Sequence, residues 1–271
     1  MKASEIEILV DLSRSLAKST SISALEMTSL AKTSHIGSCL SVVDILSACL
    51  IVKSRIESKS KVLLSKGHAA AALYAALHHL GELSSLELEN FCSDGSGLYG
   101  HVNHFAANWI PLSTGSLGHG LPFSVGVAIG KQRKAEEGNV YVIISDGECN
   151  EGTTWESALI GNKMCLTNLK VIIDRNQIQS LGRTEEILPL EPLKEKWEAF
   201  GWTTHVIDGH DTEQILRKIL EHSKAPVCII AETVKGHGVN FMEDKLEWHY
   251  KALNESELVE AKKQIESKYS K

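Results

Sequence analysis

The sequence is poor in proline and in the segments that usually separate domains. Only five prolines occur among 271 residues, and no stretch rich in Pro, Gly or Ser divides the chain. Internal repeats and low-complexity tracts are absent as well. The length would allow two domains of roughly 150 residues each, but the sequence marks no boundary between them. We therefore predict a single domain over residues 1–271.

Cysteine pairs and an export signal are also missing. None of the six cysteines stands in a C-x-x-C pair, which argues against a zinc site or a disulfide framework. Residues 1–15 alternate charged and apolar side chains and contain no hydrophobic core of a secretion signal. Reduced thiols without an export signal are typical of a cytoplasmic protein, and we predict that location.

The chain has neither an excess of basic residues nor a long hydrophobic run. It contains 28 Lys and Arg against 34 Asp and Glu, a net charge of −6, whereas nucleic-acid binders usually carry a basic surface. A membrane span needs about 18 apolar residues, and the longest run, Val42 to Val52, is interrupted by Asp44. We predict a buried helix there, and neither nucleic acid nor membrane as a partner.

Short β-branched runs alternate with helical patterns through most of the chain. The predicted strands are Val62–Ser65, Val140–Ser145, Leu169–Asp174, Trp202–Ile207 and Val227–Val234, and the helices among them are Ala69–Leu80, Gly118–Glu136, Thr154–Cys165 and Glu213–His222. Apolar strands separated by helices indicate a parallel sheet that is covered on both faces. We therefore predict an α/β fold, a three-layer, doubly wound parallel sheet.

Helices are also predicted at the two ends of the chain. The apolar spacing over Glu5 to Thr33 is helical, and we predict two helices with a break near Ser19–Ser23. A closing amphipathic helix is predicted at about 254–269, with Asn254 and Glu257 spaced as a capping pair.

Two neighbouring strands end in residues that suit a metal ion. Asp146 follows the strand at 140–145, and Asn176 follows the next strand along the chain. Adjacent parallel strands would bring both to one edge of the sheet, where ligands of such folds bind. Carboxylate, amide and carbonyl oxygens suit Mg²⁺ or Ca²⁺ better than zinc. The alternative is that Asp146 only caps the following helix and Asn176 only forms a turn, but the spacing of the pair favours a metal site.

Histidine and glycine stand together at several turns. Several of the 12 histidines lie beside glycine in turn-like contexts, among them those at positions 35, 68, 101 and 119. If these turns converge on one pocket, the imidazoles could move protons and bind hydroxyl or carbonyl groups near neutral pH. Ser113 to Gly120 contains three glycines before a predicted helix, which permits close backbone approach to a ligand.

Together these motifs resemble the N-terminal, diphosphate-binding half of transketolase. The segment from Asp146 to Asn176 is similar to the thiamine diphosphate motif, Ser65–Ala69 looks like the family's Ser-x-Gly-His-Ala segment, and Thr114–Gly118 looks like its Thr-Gly-x-Leu-Gly turn. The order of the motifs agrees, and the resemblance runs from about Ser34 to at least Gly238. It implies the thiamine diphosphate-binding fold and transfer of a two-carbon ketol unit from a ketose to an aldose.

The resemblance also implies roles for particular residues. The metal ligands would be Asp146, Asn176 and the carbonyl of Ile178; the cofactor would be bound by His68, Gly115, Ser116, Leu117, Gly147, Glu148 and Asn176; the catalytic histidines would be His35, His68 and His101; and Glu151 would lie near the subunit boundary. The implied cofactors are thiamine diphosphate and Mg²⁺, or Ca²⁺ in its place.

A complete transketolase is more than twice as long as this chain, so the resemblance implies half of an enzyme. A separately encoded subunit would supply the pyrimidine-binding and C-terminal domains, and the assembly would be an α2β2 heterotetramer. The substrates would be sugars or sugar derivatives. The sequence does not identify the sugar or its anionic group. Surface positions are the simpler interpretation of His237 and His249.

Three alternatives remain open at this point. The first is an α-type subunit of a 2-oxo acid dehydrogenase, which would share the Asp146 and Asn176 site without needing the histidines at 35, 68 and 101. The second is a non-catalytic binding protein that has kept the fold. The third is a plain nucleotide-binding domain, but the sequence contains neither a G-x-G-x-x-G nor a Walker motif.

Overall fold

A computed structural model describes residues 3–270, and a five-stranded parallel sheet forms its centre. The strands are β1 (Lys61–Leu64), β2 (Val140–Ser145), β3 (Leu169–Arg175), β4 (Thr203–Asp208) and β5 (Val227–Glu232). Their spatial order is β1-β2-β3-β5-β4, and every neighbouring pair is parallel. The five predicted strands are confirmed, and their bounds agree to within two residues.

Helices connect the strands and cover the sheet. The α-helices are α1 (Ala3–Leu30), α2 (Ile36–Arg55), α3 (Ala70–His79), α4 (Ser85–Glu89), α5 (Gly120–Arg133), α6 (Gly152–Lys163), α7 (Thr184–Ile187), α8 (Leu193–Ala199), α9 (Thr212–Ile219) and α10 (Glu255–Lys268). Three single-turn 3₁₀ helices occupy Gly67–Ala69, Asp146–Asn150 and Leu246–His249.

The strands are apolar on both faces because each face has its own core. Along β2, Tyr141 and Ile143 point to one side of the sheet, where α1, α2, α3, α9 and α10 pack. Val142 and Ile144 point to the other side, toward α5, α6 and α8. Successive side chains of a strand point to opposite faces, so a strand covered on both sides must be apolar throughout. The predicted three-layer, doubly wound fold is confirmed.

The N-terminal helix differs from the prediction, because α1 is continuous through the segment where we expected a break. Two hydroxyls in this helix bond to backbone carbonyls four residues earlier. Ser21 donates to the carbonyl of Ala17 at 2.8 Å, and Thr28 donates to that of Ala24 at 2.7 Å. These bonds satisfy the hydroxyls without interrupting the helix, so the predicted break near Ser19–Ser23 is wrong.

The second helix crosses the interior of the domain. α2 is long and apolar enough to span a membrane by length and composition, but 94% of its most apolar window is buried within the fold. Such burial is typical of a core helix in a globular protein. The buried helix predicted around Val42 to Val52 is confirmed.

The chain ends in the predicted closing helix. Asn254 accepts a hydrogen bond from the backbone N–H of Glu257, whose carboxylate accepts from the N–H of Asn254 in return. This reciprocal cap fixes the start of α10, whose Ala261 and Ile265 are buried against the first core. Residues 1, 2 and 271 lie outside the described residues, and the single domain over 1–271 stays a prediction.

A buried ion pair joins four parts of the fold at the carboxyl end of the sheet. Lys66, just after β1, is paired with Asp174 near the end of β3, and both side chains are completely buried. Ser41 of α2 donates to the same carboxylate at 2.7 Å, and Thr233, just after β5, donates to its other oxygen. Burial alone would raise the pKa of Asp174, but Lys66 and the two hydroxyls outweigh it and hold that pKa below its usual value.

We predict that Asp174→Asn lowers the free energy of unfolding by about 3–5 kcal/mol, because it leaves the Lys66 ammonium buried without its counter-charge. Urea denaturation measures the change. Asp211→Asn is the matched control, since Asp211 caps α9 and asparagine caps a helix equally well. Equally small losses in both variants would contradict the prediction.

Candidate functional site

A cavity of about 210 Å³ lies at the carboxyl ends of the central strands. Its walls come from the turns after β1, β2, β3 and β5, from the segment between α4 and α5 and from the start of α2. The lining residues are His35, Ser38, His68, His101, Gly115, Leu117, Ser145, Asp146, Gly147, Asn176, Ile178, Gln179, Ser180, Lys235 and His249. Nine residues that the sequence nominated for a site are among them, so the predicted motifs do converge.

Oxygen atoms from two adjacent turns face this cavity. Ser145 and Asp174 are partners in the β2–β3 register, which brings Asp146 and Asn176 to the same edge of the sheet. Asp146 Oδ2 accepts the backbone N–H of Gln177 at 2.8 Å, so its carboxylate is fixed against the turn that carries Asn176 and Ile178. The predicted juxtaposition of these residues is therefore present.

The electrostatics of Asp146 indicate a place for a cation. Burial is the main cause that raises the pKa of this carboxyl, and the nearby Asp174 raises it further. A buried carboxylate is stable when a positive charge joins it. Together with the Asn176 amide and the Ile178 carbonyl, it offers hard oxygen donors of the kind that Mg²⁺ and Ca²⁺ prefer. The residues present therefore fit a divalent cation.

Four imidazoles stand together on the opposite wall of the cavity. The ring centroid of His35 lies 5.5 Å from that of His68, 5.7 Å from that of His101 and 5.0 Å from that of His249. Burial, His101 and two lysines lower the pKa of His35 to about 4. Burial, followed by Lys235 and His35, lowers the pKa of His249 to about 3. Both rings are therefore neutral at physiological pH and can donate or accept a hydrogen bond.

Lys235 and His249 are the main residues that the sequence analysis missed. The Lys235 ammonium donates to the Ile178 carbonyl at 3.1 Å and lies 2.8 Å from Nδ1 of His249. His249 is buried and its backbone carbonyl accepts the N–H of His35 at 3.0 Å, so the expected surface position is wrong. The available signal was Gly236 and Gly238 beside Lys235, a turn like those that carry the other histidines.

Two glycine-containing segments are packed together beside the cavity. A Cβ at Gly67 would lie 2.2 Å from the carbonyl oxygen of Thr114, so only glycine fits there. Thr114 also donates to the carbonyl of Leu64 at 2.7 Å, which ties the segment after β1 to the turn before α5. Gly115 and Leu117 then line the cavity, whereas Ser116 between them is exposed and does not.

Two acidic residues predicted for the site lie outside the cavity. Glu148 is buried behind it, where it accepts hydrogen bonds from Ser65 and from the backbone N–H groups of Ser145 and Gly118. This carboxylate connects the turns of the site to one another. Glu151 is exposed on the surface at the start of α6, beside Gly118.

His237 belongs to a separate cluster behind the site. Its ring stacks on that of His210 with centroids 3.5 Å apart, and His210 Nδ1 lies 2.9 Å from the buried carboxylate of Asp44. The other nitrogen of His210 accepts the N–H of Val234, and Lys268 pairs with Asp44 at 3.3 Å. The stacked rings and these partners hold α2, α10 and the segments after β4 and β5 together. The His237 side chain is 22% exposed, so it lies partly at the surface.

Comparisons with known proteins agree with the fold and the site. The family model described as transketolase, thiamine diphosphate binding domain, matches residues 13–270. One of the subunits of the apulose-4-phosphate transketolase of Phocaeicola vulgatus is 35% identical over 251 residues, which are 89% of each chain. The 6-deoxy-6-sulfo-D-fructose transketolase subunit SqwG of a Clostridium species is 37% identical over 82% of this chain and 84% of its own.

A solved structure of a longer protein has the same fold. The transketolase of Campylobacter jejuni superposes with a TM-score of 0.85 and 26% identity, over 98% of this chain and 43% of that one. The chain belongs to the transketolase family and carries its thiamine diphosphate-binding domain. The predicted family, fold and class of enzyme, a thiamine diphosphate-dependent transferase, are confirmed.

The neutral imidazoles predict a loss of stability in mild acid. His35 and His249 titrate near 6.5 when unfolded and have a pKa of about 4 and about 3 when folded, so protons bind the unfolded chain more tightly. The contribution of these two imidazoles to the free energy of unfolding should be constant above pH 7 and should fall from pH 6.5 toward pH 4. Urea unfolding at pH 7, 6 and 5 measures this slope, and His249→Gln should reduce it. The control His222→Gln removes an exposed histidine, and an equal reduction there would refute the assignment.

Proposed function

We propose that this chain is the N-terminal subunit of a two-subunit transketolase, which transfers a two-carbon ketol unit from a ketose to an aldose. The observation that carries the proposal is the likeness to two relatives that are named as subunits of transketolases. The chain covers 89% of a relative named as one subunit of a transketolase but only 43% of a full-length transketolase chain. The cavity described above is formed by the part of transketolase that this chain matches, which agrees with a site that a second chain completes.

In this proposal, the oxygen donors hold Mg²⁺, or Ca²⁺ in its place, together with the diphosphate of the cofactor. Asp146, Asn176 and the carbonyl of Ile178 would bind the metal ion. Gly147 and Gly115 would lie against the cofactor, where glycine permits close approach of the backbone. Ser116 and Glu148 do not line the cavity, so they would act through the turns that they belong to.

Thiamine diphosphate, when bound, supplies the carbanion chemistry that breaks and forms carbon–carbon bonds. The chain's own contribution is to orient the sugar and to move its hydroxyl protons. His35 and His101 would move these protons, because an imidazole can act either as an acid or as a base, and His249 would bind a sugar hydroxyl by a hydrogen bond. His68, whose pKa is lowered by burial and then by Lys66, would stay neutral and donate a hydrogen bond toward the diphosphate.

A separately encoded partner would supply the pyrimidine-binding and C-terminal domains in an α2β2 assembly. Exposed apolar side chains lie on segments that lead out of the cavity: Phe105 is 83% exposed and Leu181 is 77% exposed. Large apolar residues that remain accessible near a site are typical of protein contacts. Glu151 would lie at the same subunit boundary.

The relatives also suggest a class of substrate. Both carry in their names a sugar with an anionic group, a phosphate in one and a sulfonate in the other. We propose an anionic sugar or sugar derivative as substrate, with its charged end held mainly by the partner.

The six free cysteines agree with a reducing compartment, and we propose a cytoplasmic location.

Calorimetric titration of thiamine diphosphate with Mg²⁺ tests the proposal, using this chain alone and mixed with its partner. We expect tight binding and ketol transfer in the mixture. Asp146→Asn should weaken binding at least tenfold, because it removes the charged metal ligand. Asp94→Asn, which changes an exposed aspartate, should bind as the unmodified chain does. Failure of the folded, mixed proteins to bind the cofactor would refute the proposed function.

His101→Ala provides a separate test of the proton-transfer role. Its side chain lines the cavity but lies apart from the proposed metal ligands, so cofactor affinity should change less than twofold. The turnover number for ketol transfer should fall by about 10²-fold or more, as expected for loss of an acid–base group. The exposed His222→Ala is the control. Unchanged turnover in His101→Ala would remove this residue from the mechanism.

A further inference from the structure

Two segments that line the cavity come from different strands and meet at its rim. The turn of residues 176–184 follows β3 and carries Asn176 and the Ile178 carbonyl. The segment of residues 233–249 follows β5 and carries Lys235 and His249. We call them the β3 turn and the β5 segment. Their relative position decides whether carbonyl, ammonium and imidazole face one another.

Each of the two segments has its own internal hydrogen bonds. In the β3 turn, Gln179 N–H donates to the Gly182 carbonyl at 2.9 Å, and Thr184 N–H donates to that of Gln177 at 2.9 Å. In the β5 segment, Asp244 N–H donates to the Lys235 carbonyl at 2.9 Å. A movement of Asp244 would therefore be passed directly to the backbone of Lys235.

Two polar contacts join the β3 turn to the β5 segment. Inside the cavity, the Lys235 ammonium donates to the Ile178 carbonyl at 3.1 Å. At the rim, the Arg183 guanidinium makes a bidentate pair with the Asp244 carboxylate, with distances of 2.5 and 2.6 Å. Both rim side chains are about half exposed. The paired geometry fixes the orientation of the two segments more strictly than a single contact does.

The inner contact competes with the proposed metal site. The carbonyl of Ile178 now faces the Lys235 ammonium, and a divalent cation bound there would take that oxygen and repel the ammonium. We propose that Arg183 and Asp244 are positioning residues, whose ion pair keeps the β3 turn and the β5 segment together when the Ile178 carbonyl turns to a metal ion. This inference rests on the proposed function.

The backbone conformation of Asp244 is a second observation that supports a positioning role for the Arg183–Asp244 ion pair. Its φ is +57°, in the left-handed region that a non-glycine residue occupies at a cost. Aspartate and asparagine tolerate this conformation best, so Asp244→Asn removes the charge and keeps the backbone. Arg183→Gln removes the charge of the other partner without touching the cavity lining. The two variants therefore remove the ion pair and leave the backbone conformation and the cavity lining unchanged.

The experiment measures hydrogen exchange in the cofactor-free full chain and cofactor affinity in the mixture with the partner. We expect Arg183→Gln and Asp244→Asn each to speed exchange in both segments, without change in the sheet. Each should raise the dissociation constant of thiamine diphosphate with Mg²⁺ about three- to fivefold, as for loss of an exposed ion pair. The double variant should be no weaker than either single one, and Arg183→Lys should recover part of the affinity.

Arg217→Gln is the matched control, because Arg217 forms an equally exposed 2.5 Å pair with Glu213 on α9, away from the cavity. If Arg183→Gln changes exchange and affinity no more than this control does, the inference is overturned. Additive losses in the double variant would overturn it too, since two residues acting through one pair cannot add. If the unmodified mixture binds no cofactor, the proposed function fails, and the exchange measurement still decides whether the pair holds the two segments.

Discussion

The ion pair between Lys66 and Asp174 is the interaction on which the geometry of the site depends. A buried carboxylate must be paired or lose its charge, and here the pairing draws on the turn after β1, on α2 and on the segment after β5. Each of these elements also carries a residue that lines the cavity. The same contact that satisfies a buried charge therefore fixes the relative positions of the site's walls.

The two sides of the cavity have complementary chemistry. One side offers oxygen atoms and a carboxylate whose pKa is raised, and the other offers imidazoles whose pKa values are lowered. Burial is the first cause in each case, because it penalises whichever form is charged. A bound metal ion would favour the charged form of Asp146. Burial thus favours a cation beside Asp146 and keeps His35 and His249 neutral, as hydrogen-bonding groups.

The sequence allowed the sheet and most of the site to be predicted, for definite reasons. Strands buried on both faces are apolar without alternation, and Asp146 and Asn176 stand at strand ends, where the topology brings them together. The continuous α1 was missed because serine runs look like a break, although their hydroxyls can bond within the helix. His249 was missed because a single-turn helix with few apolar residues gives no periodic signal. Lys235 was missed because its partners are distant in sequence.

The hydrogen bond from His35 N–H to the His249 carbonyl closes the site between the two ends of the chain. During synthesis the N-terminal helices leave the ribosome long before residue 249 does, and contacts between distant residues form late in folding. His35 has a left-handed backbone, with φ of +76°, which costs free energy in a non-glycine residue, and its hydrogen bond to the residue 249 carbonyl supports this conformation. A nascent or truncated chain would contain most of the sheet and yet present no assembled cavity, so cofactor capture would have to wait for the last quarter of the chain.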